Sequence, residues 1–306
     1  MKANDARGAI GLETEAVAGA ATAALPAIAD VPPPPLLPRL LGSREAMTVG
    51  LLIVAFVAGA LLSPYFLDAA YLLSATSLYM EIGIIALPMT LIIIAGDIDL
   101  SVASTLALVA SATAVLWSQV GLPLPAAIVC GLALGALCGA LNGALIVGLG
   151  LPSLTVTLGT LALYRGIAQI LIGDHSIGGF PSWAVGIDTW RVPGSPIPVT
   201  LVFFLLLALG FGLLLHRTVF GRLIYATGAN REAARYAGVA TGRVRLILFV
   251  LSGFLAGLAG MIMTSRLGVA RFDLANGLEL DVITAVVLGG TDIFGGRGSI
   301  FGTVVA

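Results

Sequence analysis

From Met47 onward, apolar runs of transmembrane length alternate with short polar breaks, and the alternation predicts a bundle of membrane-spanning helices. Met47–Ser63 is seventeen mostly apolar residues, the minimum for a crossing helix. Leu78–Ala95, interrupted by Pro88 and carrying Glu81, and then Val102–Trp117 make a second and a third. Pro125–Gly150 would rise about 39 Å, enough to cross with tilt. Pro152 restarts the chain into a fifth span ending at Ile172, and a polar interval, Asp174–Pro196, separates it from the sixth, Ile197–Leu215. Leu246–Thr264 is the seventh, and Val282–Gly289 begins an eighth run that breaks at glycines. This is the pattern of an all-α polytopic membrane protein, with about eight spans in a transmembrane domain over residues 47–306.

Residues 1–46 do not share that pattern. They are rich in Ala and Pro, with an extended VPPPPLLP segment, and read as a disordered cytoplasmic tail whose Arg39 and Arg44 mark the inner face. Ala16–Ala29 imitates a cleavable leader only weakly, because Glu13 and Glu15 flank it on the wrong side and alanine is a weak hydrophobe.

The long polar interval from His216 to Arg245 is different again. It carries six of the fifteen Lys and Arg residues: Arg217, Arg222, Arg231, Arg235, Arg243 and Arg245. Arginine-rich loops stay on the cytoplasmic side, because carrying them across during insertion is costly. A tail inside and six crossings return the chain inside at Arg217, so parity and charge agree. Within the loop, Asn230 and Gly238 can serve as N-cap and left-handed C′ residue of a short helix running from Arg231 to Ala237. So short a helix needs something to hold it.

Polar and glycine positions inside the apolar runs come next. Gly131, Gly135, Gly139 and Gly143 recur every four residues and clear one helix face for close packing, with Asn142 beside it. Asp97 and Asp99, in IIIAGDIDLSVAS, interrupt otherwise continuous apolar sequence and predict groups that face protein or water. Asp99 or Ser101 can cap the third span. A paired-acid metal site, as in intramembrane prenyl transfer, would want a second acidic cluster with Lys or Arg nearby, and no tight one is present. Leu280-Asp281-Val282 echoes Ile98-Asp99-Leu100, a weak internal symmetry that points to pseudo-symmetric repeats. Arg165, inside the fifth span, needs a carboxylate or carbonyl partner.

Composition narrows the class. The 306 residues are 58% hydrophobic and only 10% charged, with mean hydropathy +1.07, whereas soluble domains carry about 25% charged residues. The net charge of −1 gives no basis for nucleic-acid binding. Cys130 and Cys138 lie about 12 Å apart along one helix, too far for a disulfide. The sequence has no G-x-x-x-x-G-K-[ST], so it cannot hydrolyse ATP itself, and no catalytic cluster, cofactor or metal site is indicated.

Four segments in order carry a family resemblance: AGDIDLSVAS, LPSLTVTLGTLALYRGIA (Leu151–Ala168), FGRLIYATGANREAARYAGV (Phe220–Val239) and ELDVITAVVLGGTDIFGGRGSIFGT (Glu279–Thr303). Over residues 47–306 the chain resembles the membrane permease subunits of bacterial ABC importers for sugars of the ribose, xylose and rhamnose type, autoinducer-2 permeases included. Ala103 stands where the family usually has glycine. The resemblance implies about ten spans in a bacterial inner membrane and a second permease chain, the same or different. It also implies separate cytoplasmic ABC ATPases and a periplasmic sugar-binding protein. Family members continue through about two further helices, so the chain reads as C-terminally truncated at Ala306.

The resemblance also assigns roles. Asn230, Arg231, Glu232, Ala233, Ala234, Arg235 and Gly238 would form the coupling helix, which docks in the ATPase dimer and moves the sixth and seventh spans as a lever. Ala233 and Ala234 are small enough for it to sit deep. Asp99, Ser101, Asn142, Thr155 and Thr157 are the polar groups expected along a path for a neutral monosaccharide. Two other readings stand beside this one. The nearer is a permease for branched-chain amino acids or nucleosides. The further is an ion-coupled secondary transporter using Glu81, Asp97 or Asp99.

Overall fold

The computed structural model describes residues 44–306, with side chains from residue 46. The tail read at residues 1–46 lies outside the described residues as far as position 43. Helix α1 is Arg44–Leu62, α2 Ala69–Thr76, α3 Met80–Ile94, α4 Val102–Ser118, α5 Leu124–Gly148 and α6 Ser153–Ile172. Then come α7 Val199–Arg217, α8 Val219–Ala229, α9 Arg231–Tyr236, α10 Thr241–Leu267, α11 Leu278–Leu288 and α12 Ile300–Val305. Two short strands, β1 (Ile177–Gly178) and β2 (Val269–Ala270), pair antiparallel where α6 and α10 end.

Helices α5, α6, α7 and α10 are each long and apolar enough to cross a membrane, and α2 with α3 add a fifth crossing bent by 56°. Shorter apolar helices, α1 and α4, complete an all-α polytopic membrane fold. The bend corrects the start of the second span. Asp68 caps α2 by accepting hydrogen bonds from the Ala70 and Tyr71 amides at 2.8 and 3.2 Å, so a separate helix precedes α3. Pro88 lies inside α3. The eighth run begins at Leu278 rather than Val282. At about 16 Å of rise, α11 is too short to cross alone.

The centre of the bundle follows from composition. MEIGIIALPMTLIII is apolar all round, and such a helix belongs inside rather than on a surface. Every residue of α3 from Ile84 to Ile94 is buried. Around it, α10 packs most extensively on α5, then on α4 and α3. The glycine ladder explains how α5 and α10 come so close. A Cβ on Gly135 or Gly139 would fall within 3 Å of the backbone carbonyl oxygens of Gly253 and Phe249, while Gly131 and Gly143 face the side chains of Thr113 and Leu246 as tightly. Backbone thus lies on backbone, with dispersion contacts no larger residue would allow.

Candidate functional site

The short helix α9 has well-formed ends. Asn230 is extended, and its side chain accepts from the Ala233 amide at 2.9 Å. Gly238 takes φ +84°, and the Gly238 and Val239 amides donate back to the Arg235 and Ala234 carbonyls, both at 3.0 Å. That paired closure needs a left-handed residue at its corner, which glycine supplies without steric cost. Ala234 is buried against the chain's own bundle, whereas Glu232, Ala233 and Arg235 are exposed and Tyr236 is 91% exposed. The helix therefore keeps one small residue inward and presents its remaining face outward.

Helix α3 ends by the same device. Gly96 takes φ +80°, the Gly96 amide donates to Ile93 and the Asp97 amide to Ile92. The turn delivers Asp97 beneath α9. There the Arg245 guanidinium, on the first turns of α10, binds both carboxylate oxygens, Nε to Oδ2 at 2.5 Å and Nη2 to Oδ1 at 2.7 Å. Arg231, from the first turn of α9, reaches the same carboxylate at 3.4 Å and the carbonyls of Ala95 and Gly96 at 3.3 Å. Asp97 is 4% exposed and the Arg245 side chain 11%, while Arg231 keeps 41% of its side chain exposed. The fork-on-fork pair is thus desolvated, and the second arginine is a wetter, looser partner of the same anion. A recess of about 310 Å³ opens beside them, walled by Gly150–Leu154.

Asp99 faces elsewhere. It accepts from the Ser101 amide at 3.0 Å, the Ser101 hydroxyl at 2.7 Å and the Ser252 hydroxyl of α10 at 3.0 Å. Asn142 on α5 donates to the Ser101 oxygen at 2.8 Å and accepts from the Tyr164 hydroxyl of α6 at 3.2 Å. One buried polar chain therefore joins α4, α5, α6 and α10. Asp99, Ser101 and Asn142 are each 1% exposed, and Thr157 is fully buried with its hydroxyl 2.9 Å from the Ser153 carbonyl. Thr155 is exposed. The two aspartates of the D-x-D pair thus serve separate partners.

At the opposite end of the bundle, Arg266 Nε donates to Glu81 Oε1 at 2.9 Å, so α10 also meets the first turn of α3. Arg165 donates to the Phe272 and Leu274 carbonyls at 2.6 and 2.8 Å, which supplies the partners its place within α6 requires. Sequence reasoning left Asp97, Arg245, Ser252 and Tyr164 out of the candidate site. Asp97 was visible as a charge within an apolar run, and Arg245 as one of the loop arginines. Their pairing, 148 residues apart, has no local signal. Tyr236 was legible only as part of a polar stretch.

A family model described as "Branched-chain amino acid transport system / permease component" matches residues 71–306, which take in Asp97, α9 and α10. Similar curated proteins include the autoinducer 2 import system permease protein LsrD of Salmonella typhimurium (strain LT2), 40% identical over 270 residues. Its counterpart of the same name in Klebsiella pneumoniae subsp. pneumoniae is 42% identical over 268 residues, and that in Escherichia coli O9:H4 (strain HS) 40% over 268. In each case the alignment covers 86% of this chain and 80% of the relative. No solved structure matches the chain.

Proposed function

The chain belongs to the family of permease components of branched-chain amino acid transport systems, and from that premise we propose that it is the membrane-spanning subunit of an ATP-driven, binding-protein-dependent importer of sugar-like solutes. A permease of this kind is not an enzyme by itself. The solute class follows the relatives named for autoinducer 2 import, which align over 86% of the chain. The family's general description favours branched-chain amino acids as the second reading.

The observation that carries the proposal is the sharing of Asp97 between Arg231 and Arg245. A cytoplasmic ATPase subunit docks on the outward face of α9, around Glu232, Arg235 and Tyr236. Movement of α9 reaches the bundle through Arg231, whose anion is already bound to the central helix α10. The ATP site is on that separate subunit. A second permease chain and a periplasmic sugar-binding protein complete the importer.

Sidedness is part of the same proposal. Arg217, Arg222, Arg235 and Arg243, at the α9 end, are exposed. At the other end Arg266 pairs with Glu81 and Arg271 with Asp273, while Arg191 donates to the Asp188 and Trp190 carbonyls and the Ser74 hydroxyl. The exposed arginines at the α9 end support a cytoplasmic position for it, and for the N-terminus, in a bacterial inner membrane. Of the residues expected along the solute path, Asp99, Ser101, Asn142 and Thr157 are internal in this conformation. They act as a polar joint that a solute meets only once α4 parts from α5 and α10. Thr155 faces out of the bundle and is available to the second permease chain.

A photo-crosslinking amino acid at position 236, activated in native membranes, tests the docking. The expected product joins the permease to a nucleotide-hydrolysing subunit. Crosslinks only to lipid or to periplasmic proteins would overturn both the docking and the orientation.

A further inference from the structure

A groove of about 560 Å³ runs between α5, α7, α8 and α10, lined by Leu214, Phe220, Ile247, Val250, Leu251 and Phe254. Its walls are almost wholly apolar, as a surface against hydrocarbon should be. Its mouth, at the α9 end, has another character. Helical spacing places Arg243 one turn before Ile247 and on the same face of α10, and Arg217 three residues after Leu214 on the same face of α7. Thr218, also in the groove wall, follows Arg217 directly. Both arginines are exposed, and among the described residues neither makes a side-chain hydrogen bond or ion pair. Arg245, two residues on, does not share this freedom, because Asp97 holds it.

Length decides what fits. From Arg243 to Phe254 the helix rises about 16 Å, close to half of the ~30 Å hydrocarbon core. The groove is therefore one leaflet deep, with unpaired positive charge at headgroup level and apolar side chains below it. We propose that it is a binding site for an anionic phospholipid of the inner leaflet, whose phosphate lies between Arg217 and Arg243 and whose acyl chain follows Ile247, Val250 and Phe254. The chemistry is that of basic pockets between helices that select acidic headgroups. The site is separate from the coupling contact at Asp97 and does not depend on what solute the chain carries.

Native mass spectrometry of the full chain, equilibrated with equimolar phosphatidylglycerol and phosphatidylcholine, tests the assignment. Wild-type protein should retain phosphatidylglycerol preferentially, and R217Q/R243Q should lower that preference by roughly 30-fold, about fivefold for each arginine removed. Arg222→Gln removes another exposed arginine, placed two residues after Phe220 and so off the groove face, and should leave the preference unchanged. Equal retention of both lipids by wild type would overturn the proposal. So would a preference that survives R217Q/R243Q, or one that Arg222→Gln lowers as much. A crosslink between Phe254 positions of two copies, in place of bound lipid, would assign the groove to a dimer contact and overturn it as well.

Discussion

Helix α3 is fastened to α10 at both ends, and the two fastenings are not alike. At one end Glu81 meets Arg266, and at the other Asp97 meets Arg245. The two arginines are 21 residues apart on one helix, about 31 Å of rise, which matches the thickness of a hydrocarbon core. Each pair therefore sits near a membrane boundary, where a charge can be held by protein and still lie close to water. The Glu81 pair joins two helices and stops there. The Asp97 pair is bidentate and has a third member, Arg231, on the short helix α9. One end is a fixed rivet, and the other is a rivet with a handle attached. Under the proposed coupling, that handle is where motion would enter a bundle in which α5 and α10 are locked backbone to backbone.

The largest expected effect comes from breaking the bidentate rivet. Asp97→Asn leaves the Arg245 charge desolvated and should cost about 3–5 kcal/mol, read as a lower melting temperature in detergent or loss of folded protein. Replacing both partners, as D97L/R245M, should recover most of that stability, because well-packed apolar residues substitute for a buried pair. Transport should not recover, since Arg231 then has no anion to pull on. Stability without uptake is the signature of the handle.

Gly139→Leu is next. It drives a side chain into the Phe249 carbonyl and should cost about 1–3 kcal/mol and separate α5 from α10. A loss equal to that from Gly148→Leu, where nothing lies within 4 Å of an added Cβ, would contradict the backbone-on-backbone packing. Glu81→Gln should cost less than Asp97→Asn, because Arg266 makes one hydrogen bond to Glu81 where Arg245 makes two to Asp97, and its long stem can carry the charge to water. The smallest effect concerns the surface pair Arg271–Asp273, at 2.7 Å. The Arg271 guanidinium holds the Asp273 carboxyl below its usual value. Its contribution is therefore present above the ordinary carboxylate range and is lost as pH falls through the depressed value. Arg271→Gln should lower the melting temperature only slightly near neutral pH and leave it unchanged in acid, where the pair is already lost.

Much of the architecture was legible because hydrophobicity in a membrane chain is nearly one-dimensional. The long spans, the glycine ladder and both ends of α9 follow from composition, spacing and cap chemistry. What escaped was whatever depends on distant partners or on marginal length. Helix α2 is eight residues with an Asp cap, below the threshold of any apolar window. Helix α8, within the arginine loop, has too mixed a surface to stand out from a connector. The site divides in the same way. Asn230 and Gly238 announce α9 locally, but Asp97 and Arg245 become a pair only when α3 and α10 pack. The D-x-D spacing also misleads, since neighbouring residues of a turn point apart: Asp97 goes to the arginines and Asp99 to Ser101 and Ser252. Ala233 and Ala234 looked equivalent, yet only Ala234 is turned inward.

Arg231 is the member of the Asp97 cluster that can be changed without harming the fold, because its pairing is long and its side chain 41% exposed, and such a contact contributes roughly 1 kcal/mol or less. The most direct measurement is the ATP hydrolysed per solute imported by the assembled transporter in proteoliposomes, for Arg231→Gln beside Glu81→Gln. Coupling through Asp97 predicts that Arg231→Gln keeps its melting temperature and its ATPase partner while the ratio rises at least tenfold, with Glu81→Gln near the wild-type ratio. A wild-type ratio in Arg231→Gln would contradict it.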